Sequence, residues 1–135
     1  MNAALIDAGP LIALFDPASV AHRHYAQLLP LDWMLTTTWP CIVEASHFLK
    51  PVASQRLLSW IAAGAVAVYP FNETHLPDIA ALMARYTEWP RTEMDFADAT
   101  LVWLAGETGV TQVMTMDVRD FSRYRLADGR AFEIL

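Results

Sequence analysis

Ala3-Ala4-Leu5-Ile6-Asp7-Ala8-Gly9-Pro10 decides the fold: an apolar run, an aspartate, then the small residues and proline that stop an extended chain. A run this short, without polar alternation, reads as a strand over residues 3–6 buried on both faces, with Asp7 at its carboxyl end. Gln112-Val113-Met114-Thr115-Met116-Asp117 has the same form near the far end of the chain, so residues 112–116 read as a strand delivering Asp117.

Between these two, residues 33–37 and 65–69 are rich in apolar and β-branched side chains and make two more strands, and residues 132–135 add a fifth. Helical spacing fills the gaps. One helix spans about 20–29 and ends at Pro30; a second is capped by Thr38, carries Pro40 in its first turn and Ile42, Val43, Glu44, His47 and Phe48 along its length, and stops near Pro51. Residues 54–63 are helical and close at Gly64, residues 73–86 form the next helix, and after the Trp89-Pro90 break a helix over 94–107 ends at Gly109. Strands alternating with helices predict an α/β fold: a three-layer α/β/α sandwich with a central parallel sheet of four to five strands, ligands gathering at the strands' carboxyl ends. No repeat or Gly/Ser linker divides the chain, so residues 1–135 read as one domain.

Composition narrows the function. With 55% apolar and 18% charged residues the chain is too hydrophobic for intrinsic disorder, and the surplus hints at apolar surface covered by a partner. The apolar run over 60–71 is too short to cross a bilayer and is broken by Gly64 and Pro70, while the opening residues lack the positive lead of a secretory signal; the expectation is a cytoplasmic protein without a membrane. Cys41 is the only cysteine, which excludes an internal disulfide or a cysteine zinc site and fits a reducing compartment. A net charge of −6 argues against broad attraction to nucleic acid, but four of the eight arginines (Arg119, Arg123, Arg125, Arg130) come after Asp117, so basic charge is local.

The acidic side chains carry the chemistry. Asp7 and Asp117 sit at strand ends, Glu44 lies inside an apolar helix, and Asp95 and Asp98 open another helix. Each has a structural reading: Asp7 and Asp117 can cap the segments next in the chain, Asp95 and Asp98 have the spacing of an N-cap and its third helical residue, and Glu44 can lie on a solvated face. Taken together, carboxylates from two strands and two helices would repel one another above one sheet edge and demand a cation. Oxygen donors without cysteine suit Mg²⁺ or Mn²⁺, which lower the pKa of bound water and neutralise charge on phosphorus.

Leu5-Ile6-Asp7-Ala8-Gly9-Pro10-Leu11, Pro40-Cys41-Ile42-Val43-Glu44-Ala45, Met94-Asp95-Phe96-Ala97-Asp98-Ala99 and Thr115-Met116-Asp117, with Asp120-Phe121 after it, stand in an order and spacing that resembles a PIN-domain ribonuclease of the VapC toxin type. The resemblance runs through nearly the whole chain. It implies that Asp7, Glu44, Asp98 and Asp117 are the catalytic and metal-binding quartet, with Asp95 a fifth metal-binding carboxylate and Thr115 and Asp120 supporting them from behind. It also implies a metal-dependent endoribonuclease acting on RNA, the toxin of a toxin-antitoxin pair, with a cognate antitoxin and a homodimer as partners. Ala8 departs from the pattern, since many relatives carry Ser or Thr there. Arg119, Arg123 and Arg125 are the candidate RNA-binding residues, and surface pairing with Asp120 or Asp128 is the alternative.

Other readings are weaker. Glu44 and His47 have a Glu-x-x-His spacing, but a carboxylate di-iron site needs a second one and none exists. His22 and His24 read as solvated surface residues, Cys41 as packed, and the five tryptophans as core or interface side chains. A phosphoacceptor receiver would need an aspartate where Val68-Tyr69-Pro70 stands. The rival from another class is a PIN-fold module that binds a protein without cutting RNA, and four retained acids count against it.

Overall fold

The computed structural model describes residues 2–135. In chain order the elements are β1 (Asn2–Ile6), α1 (Ala8–Phe15), α2 (His22–Leu28), β2 (Trp33–Thr37), α3 (Trp39–Phe48), α4 (Pro51–Ala62), β3 (Val66–Val68), a 3₁₀ turn (Glu73–His75), α5 (Leu76–Arg85), α6 (Phe96–Thr108), β4 (Gln112–Met114), α7 (Val118–Phe121) and β5 (Glu133–Ile134). The five strands pair in parallel in the order β3-β2-β1-β4-β5, which puts β1 in the centre. Its apolar residues Ala4, Leu5 and Ile6 are buried because both sheet faces are covered.

Alternation along β1 divides the core. Leu5 packs with Val113, Ile79, Leu101, Leu104 and Phe121 on the α5/α6 side. Ala4 and Ile6 pack with Leu11, Tyr25, Leu57 and Met114 on the α1/α2/α4 side. These are the three layers of the expected sandwich. From β1 the chain crosses first to β2 on one side and later to β4 on the other, and the crevice at such a switch point lies beyond the strands' carboxyl ends.

Several boundaries differ from the sequence reading. Residues 8–15 form α1, where the sequence reading has only the Ala8-Gly9-Pro10 stop after the strand and no element over 11–15. Asp7 caps it by accepting the Ala8 N–H at 2.7 Å, and Pro10 sits in the first turn, where its missing N–H leaves no hydrogen bond unmade. The next helix begins at His22 rather than near residue 20, and Pro51 opens α4 three residues before the expected start. Thr38 occupies the N-cap position of α3 but does not cap it, because its hydroxyl pairs with Thr100 Oγ1 at 2.7 Å. α6 is buried over all of Ala97–Ala105, as befits a helix lying under the sheet, and Gly109 ends it at φ 75°. β3 and β4 are shorter than expected, and the single turn α7 was not foreseen.

Candidate active site

Asp7, at the carboxyl end of β1, is 6% exposed. Its Oδ1 is held by the Ala8 N–H, and its Oδ2 accepts the Thr115 hydroxyl at 2.8 Å. The Thr115 oxygen also accepts the Asp117 N–H at 3.0 Å, so one hydroxyl ties the end of β1 to the loop after β4. Tyr25 braces that loop from below by donating to the Thr115 carbonyl at 3.1 Å. Gly9 allows the loop to come close, since a Cβ there would stand 3.2 Å from Met116 Sδ.

Asp98, in the first turn of α6, is 7% exposed. Its N–H donates to Asp95 Oδ1 at 2.8 Å, which makes Asp95 the N-cap of α6, and the Tyr124 hydroxyl donates to its Oδ2 at 3.1 Å. Asp117 caps α7 through the Asp120 N–H at 3.4 Å, and Glu44 projects half-buried from α3. The capping readings and the converging reading therefore hold together: Asp7, Glu44, Asp95, Asp98 and Asp117 line one pocket of about 390 Å³. Asp120 joins from the side, its carboxylate and those of Asp98 and Asp117 offering oxygens that all lie within 4.8 Å of one another.

Burial and the repulsion of neighbouring acids raise Asp7, Glu44, Asp98 and Asp117 above the ordinary carboxylate range. Asp98 is pushed up to about 9, first by burial and then by Asp7, Asp95 and Asp117. Asp7 is raised by burial against the opposing pull of its Thr115 and Ala8 hydrogen bonds. Glu44 is raised by burial, Asp95 and Asp7, and Asp117 by burial and Asp120. Among the described residues no lysine or arginine lines the pocket. An all-oxygen donor set at this charge density, without a basic partner from the chain, fits a hard divalent cation.

The arginines behave otherwise. Arg123 pairs with Asp120 at 3.2 Å, the surface alternative the sequence had left open. Arg125 donates to the carbonyls of Ser122 and Tyr124 and lines a separate pocket of about 370 Å³ with Asp78, Arg85 and Glu107, while Arg119 is exposed. His22 is half-buried and bonds the Ala13 carbonyl through Nδ1 at 2.7 Å, and His24 is exposed. Cys41 is fully buried, and burial pushes its thiol up, out of nucleophilic range. Tyr25 and Tyr124 escaped the sequence reading because their spacing carries no signal; only the fold brings them under the acids. An apolar groove formed by Trp39, Val43, Phe48, Phe71 and Phe96 adjoins the pocket and shares Glu44 and Asp95 with it.

A family model described as PIN domain matches residues 4–126. The chain belongs to the PIN domain family. The solved structure of VapC20 of Mycobacterium tuberculosis, a toxin that cleaves the sarcin-ricin loop, is similar at a TM-score of 0.72 and 15% identity, covering 87% of this chain and 92% of that one. FitAcB of Neisseria gonorrhoeae is similar at 0.54 and 16% identity, with 96% of each chain covered. At these identities the likeness is one of fold. No curated protein matches the sequence. The PIN fold expected from the four motifs is thus the fold observed, and the pocket lies where those motifs meet.

Proposed function

We propose that this PIN domain is a divalent-metal-dependent endoribonuclease, the toxin component of a toxin-antitoxin pair in the manner of the VapC-type proteins it resembles. One observation carries the reading: five carboxylates from the end of β1, α3, the start of α6 and the β4–α7 loop share a pocket that, among the described residues, no lysine or arginine lines. Asp7, Glu44, Asp98 and Asp117 would hold Mg²⁺ or Mn²⁺, with Asp95 and Asp120 at the margin. When bound, the cation supplies Lewis acidity and neutralises charge at a phosphodiester. The chain's own part is positional. Thr115 fixes the Asp7 carboxylate, the caps of α6 and α7 fix the backbone carrying Asp98 and Asp117, and Met116 and Gly9 wall the pocket. The resemblance implies products with a 5′ phosphate and a 3′ hydroxyl. Incubating purified protein with RNA in the presence of Mg²⁺, Mn²⁺ or EDTA tests the proposal.

An antitoxin arginine reaching into the pocket would satisfy the same carboxylates with fixed, forked geometry, and its chain would cover exposed apolar side chains of α3 and α4 such as Val43, Phe48 and Val52. A homodimer belongs to the same reading.

Asp95→Asn is expected to reduce cleavage less than Asp98→Asn. Asp95 is exposed and already engaged as a cap, a role the asparagine side chain keeps, whereas Asp98 is buried with Asp117 and Asp120 beside it. Single-turnover rates of the two variants give the ranking, and a larger loss at Asp95 would reverse it. For RNA binding, Arg119→Ala is expected to lower the salt slope of log Kd by about 1 and Arg123→Ala to change it little, since Arg123 is already paired. Titration of RNA at several salt concentrations reads the difference.

A further inference from the structure

Tyr124 is fully buried behind the pocket, on the short segment after α7. Its ring is gripped by Tyr86 and Phe121, with centroids at 4.9 and 5.0 Å, so the hydroxyl has little freedom to move. Tyr86 also fixes the next residue: its hydroxyl accepts the Arg125 N–H at 3.0 Å. The hydroxyl of Tyr124 donates to Asp98 Oδ2 at 3.1 Å. Burial and the surrounding acids push the phenol's pKa upward, so it remains a donor.

We propose that Tyr124 is a positioning residue for the carboxylate site, its hydroxyl occupying one oxygen of Asp98 so that the carboxylate meets a divalent cation in one orientation and through its other oxygen. The inference rests on the metal-site reading above. A carboxylate with both oxygens free can rotate about its terminal torsion, which is broad and roughly two-fold, and must lose that freedom on binding. Tyr124 removes that freedom in advance, and it draws off part of the negative charge that five neighbouring acids concentrate. Asp7 is held in the same way by Thr115, so the two most buried carboxylates of the pocket each have one oxygen bound to a hydroxyl and both are fixed before any ion arrives. Removing such an outer partner from a metal ligand typically costs 10–100-fold in metal affinity.

Tyr124→Phe removes the hydroxyl and keeps the ring packed against Tyr86 and Phe121. Mn²⁺ binding to the intact protein, monitored by the loss of the free-ion signal in electron paramagnetic resonance, is expected to weaken by about 10-fold or more. The Mn²⁺ concentration for half-maximal RNA cleavage should rise in parallel while the rate at saturating Mn²⁺ stays within about three-fold, a split that general structural damage would not produce. Tyr86→Phe provides a second variant if Tyr124→Phe does not fold: it leaves the Tyr124 hydroxyl in place, loosens its support and should weaken Mn²⁺ binding in the same direction by a smaller factor. Wild-type Mn²⁺ affinity in Tyr124→Phe, or in Tyr86→Phe where that is the only folded variant, overturns the positioning role and leaves the metal site standing. A wild-type protein that binds no Mn²⁺ overturns the metal-site reading and this inference together.

Discussion

Asp98→Asn is expected to abolish cleavage and, in the metal-free protein, to raise the melting temperature. Both effects have one cause. The Asp98 carboxyl is 7% exposed with Asp7, Asp95 and Asp117 around it, so its ionised form is favoured only when a cation is present. Without one the folded chain must hold a proton there that the unfolded chain releases, at a cost in stability near neutral pH. Asparagine keeps the volume and an oxygen that can still accept the Tyr124 hydroxyl, so packing should survive. Loss of a group that merely orients a ligand costs about 10–100-fold, and loss of the ligand's own charge should exceed about 100-fold in cleavage rate. Asp7→Asn, Glu44→Gln and Asp117→Asn should behave alike in activity. The thermal gain of Asp98→Asn is read by melting in EDTA, where each kcal/mol moves the midpoint by about 2–8 °C for domains near this size. Near-wild-type activity in any two of the four variants would remove the quartet from the catalytic account.

The second large effect is a reversal of the pH dependence of stability by divalent metal. Asp98 has a folded-state pKa of about 9, far above the ordinary carboxylate value near which it titrates when unfolded. Between those two values the folded state holds a proton that the unfolded state has released. The metal-free protein should therefore be most stable in acid and lose stability steadily from about pH 4 to about pH 9, with Asp7, Glu44 and Asp117 adding in the same direction. A bound cation favours the ionised forms, so Mg²⁺ or Mn²⁺ should raise the melting temperature strongly at about pH 8 and hardly at all at about pH 4.5, where protons compete for the same oxygens. Melting curves across that range, with and without metal, make the comparison. A metal-free stability that climbs with pH would mean that the pocket acids are paired with bases or hydrogen-bonded in their ionised forms, and a flat profile would mean that they are solvated.

How much of this the sequence revealed depends on where each signal resides. The central strand was legible because Ala3 to Ile6 is uninterrupted and apolar, and Asp117 because Met116 and Thr115 precede it in the same pattern. The acids could be gathered because strand ends and helix starts are marked locally by Asp, Pro and Gly. α1 was missed although its cap and its first-turn proline are both visible: Gly9-Pro10 also reads as a chain break, and only the packing of Leu11 and Ala13 against the sheet decides between them. Thr38 failed as a cap because a partner 62 residues away, Thr100, competes for its hydroxyl. The arginine cluster was close in sequence yet is divided by the turn at α7, which gives Arg123 to Asp120 and turns Arg125 toward a different pocket. Tyr124 belongs to the same class of long-range fact, since 26 residues and a whole strand separate it from Asp98.

The most direct measurement is end mapping of total RNA after incubation with the purified protein in Mg²⁺, in Mn²⁺ and in EDTA, beside Asp98→Asn as a control. A carboxylate-held metal site predicts discrete new ends carrying 5′ phosphates with either metal, none in EDTA and none with the variant. Cleavage that persists in EDTA, or that Asp98→Asn performs as well as wild type, contradicts it, and the absence of any metal-dependent cut would leave a PIN fold that binds a protein partner without cutting RNA.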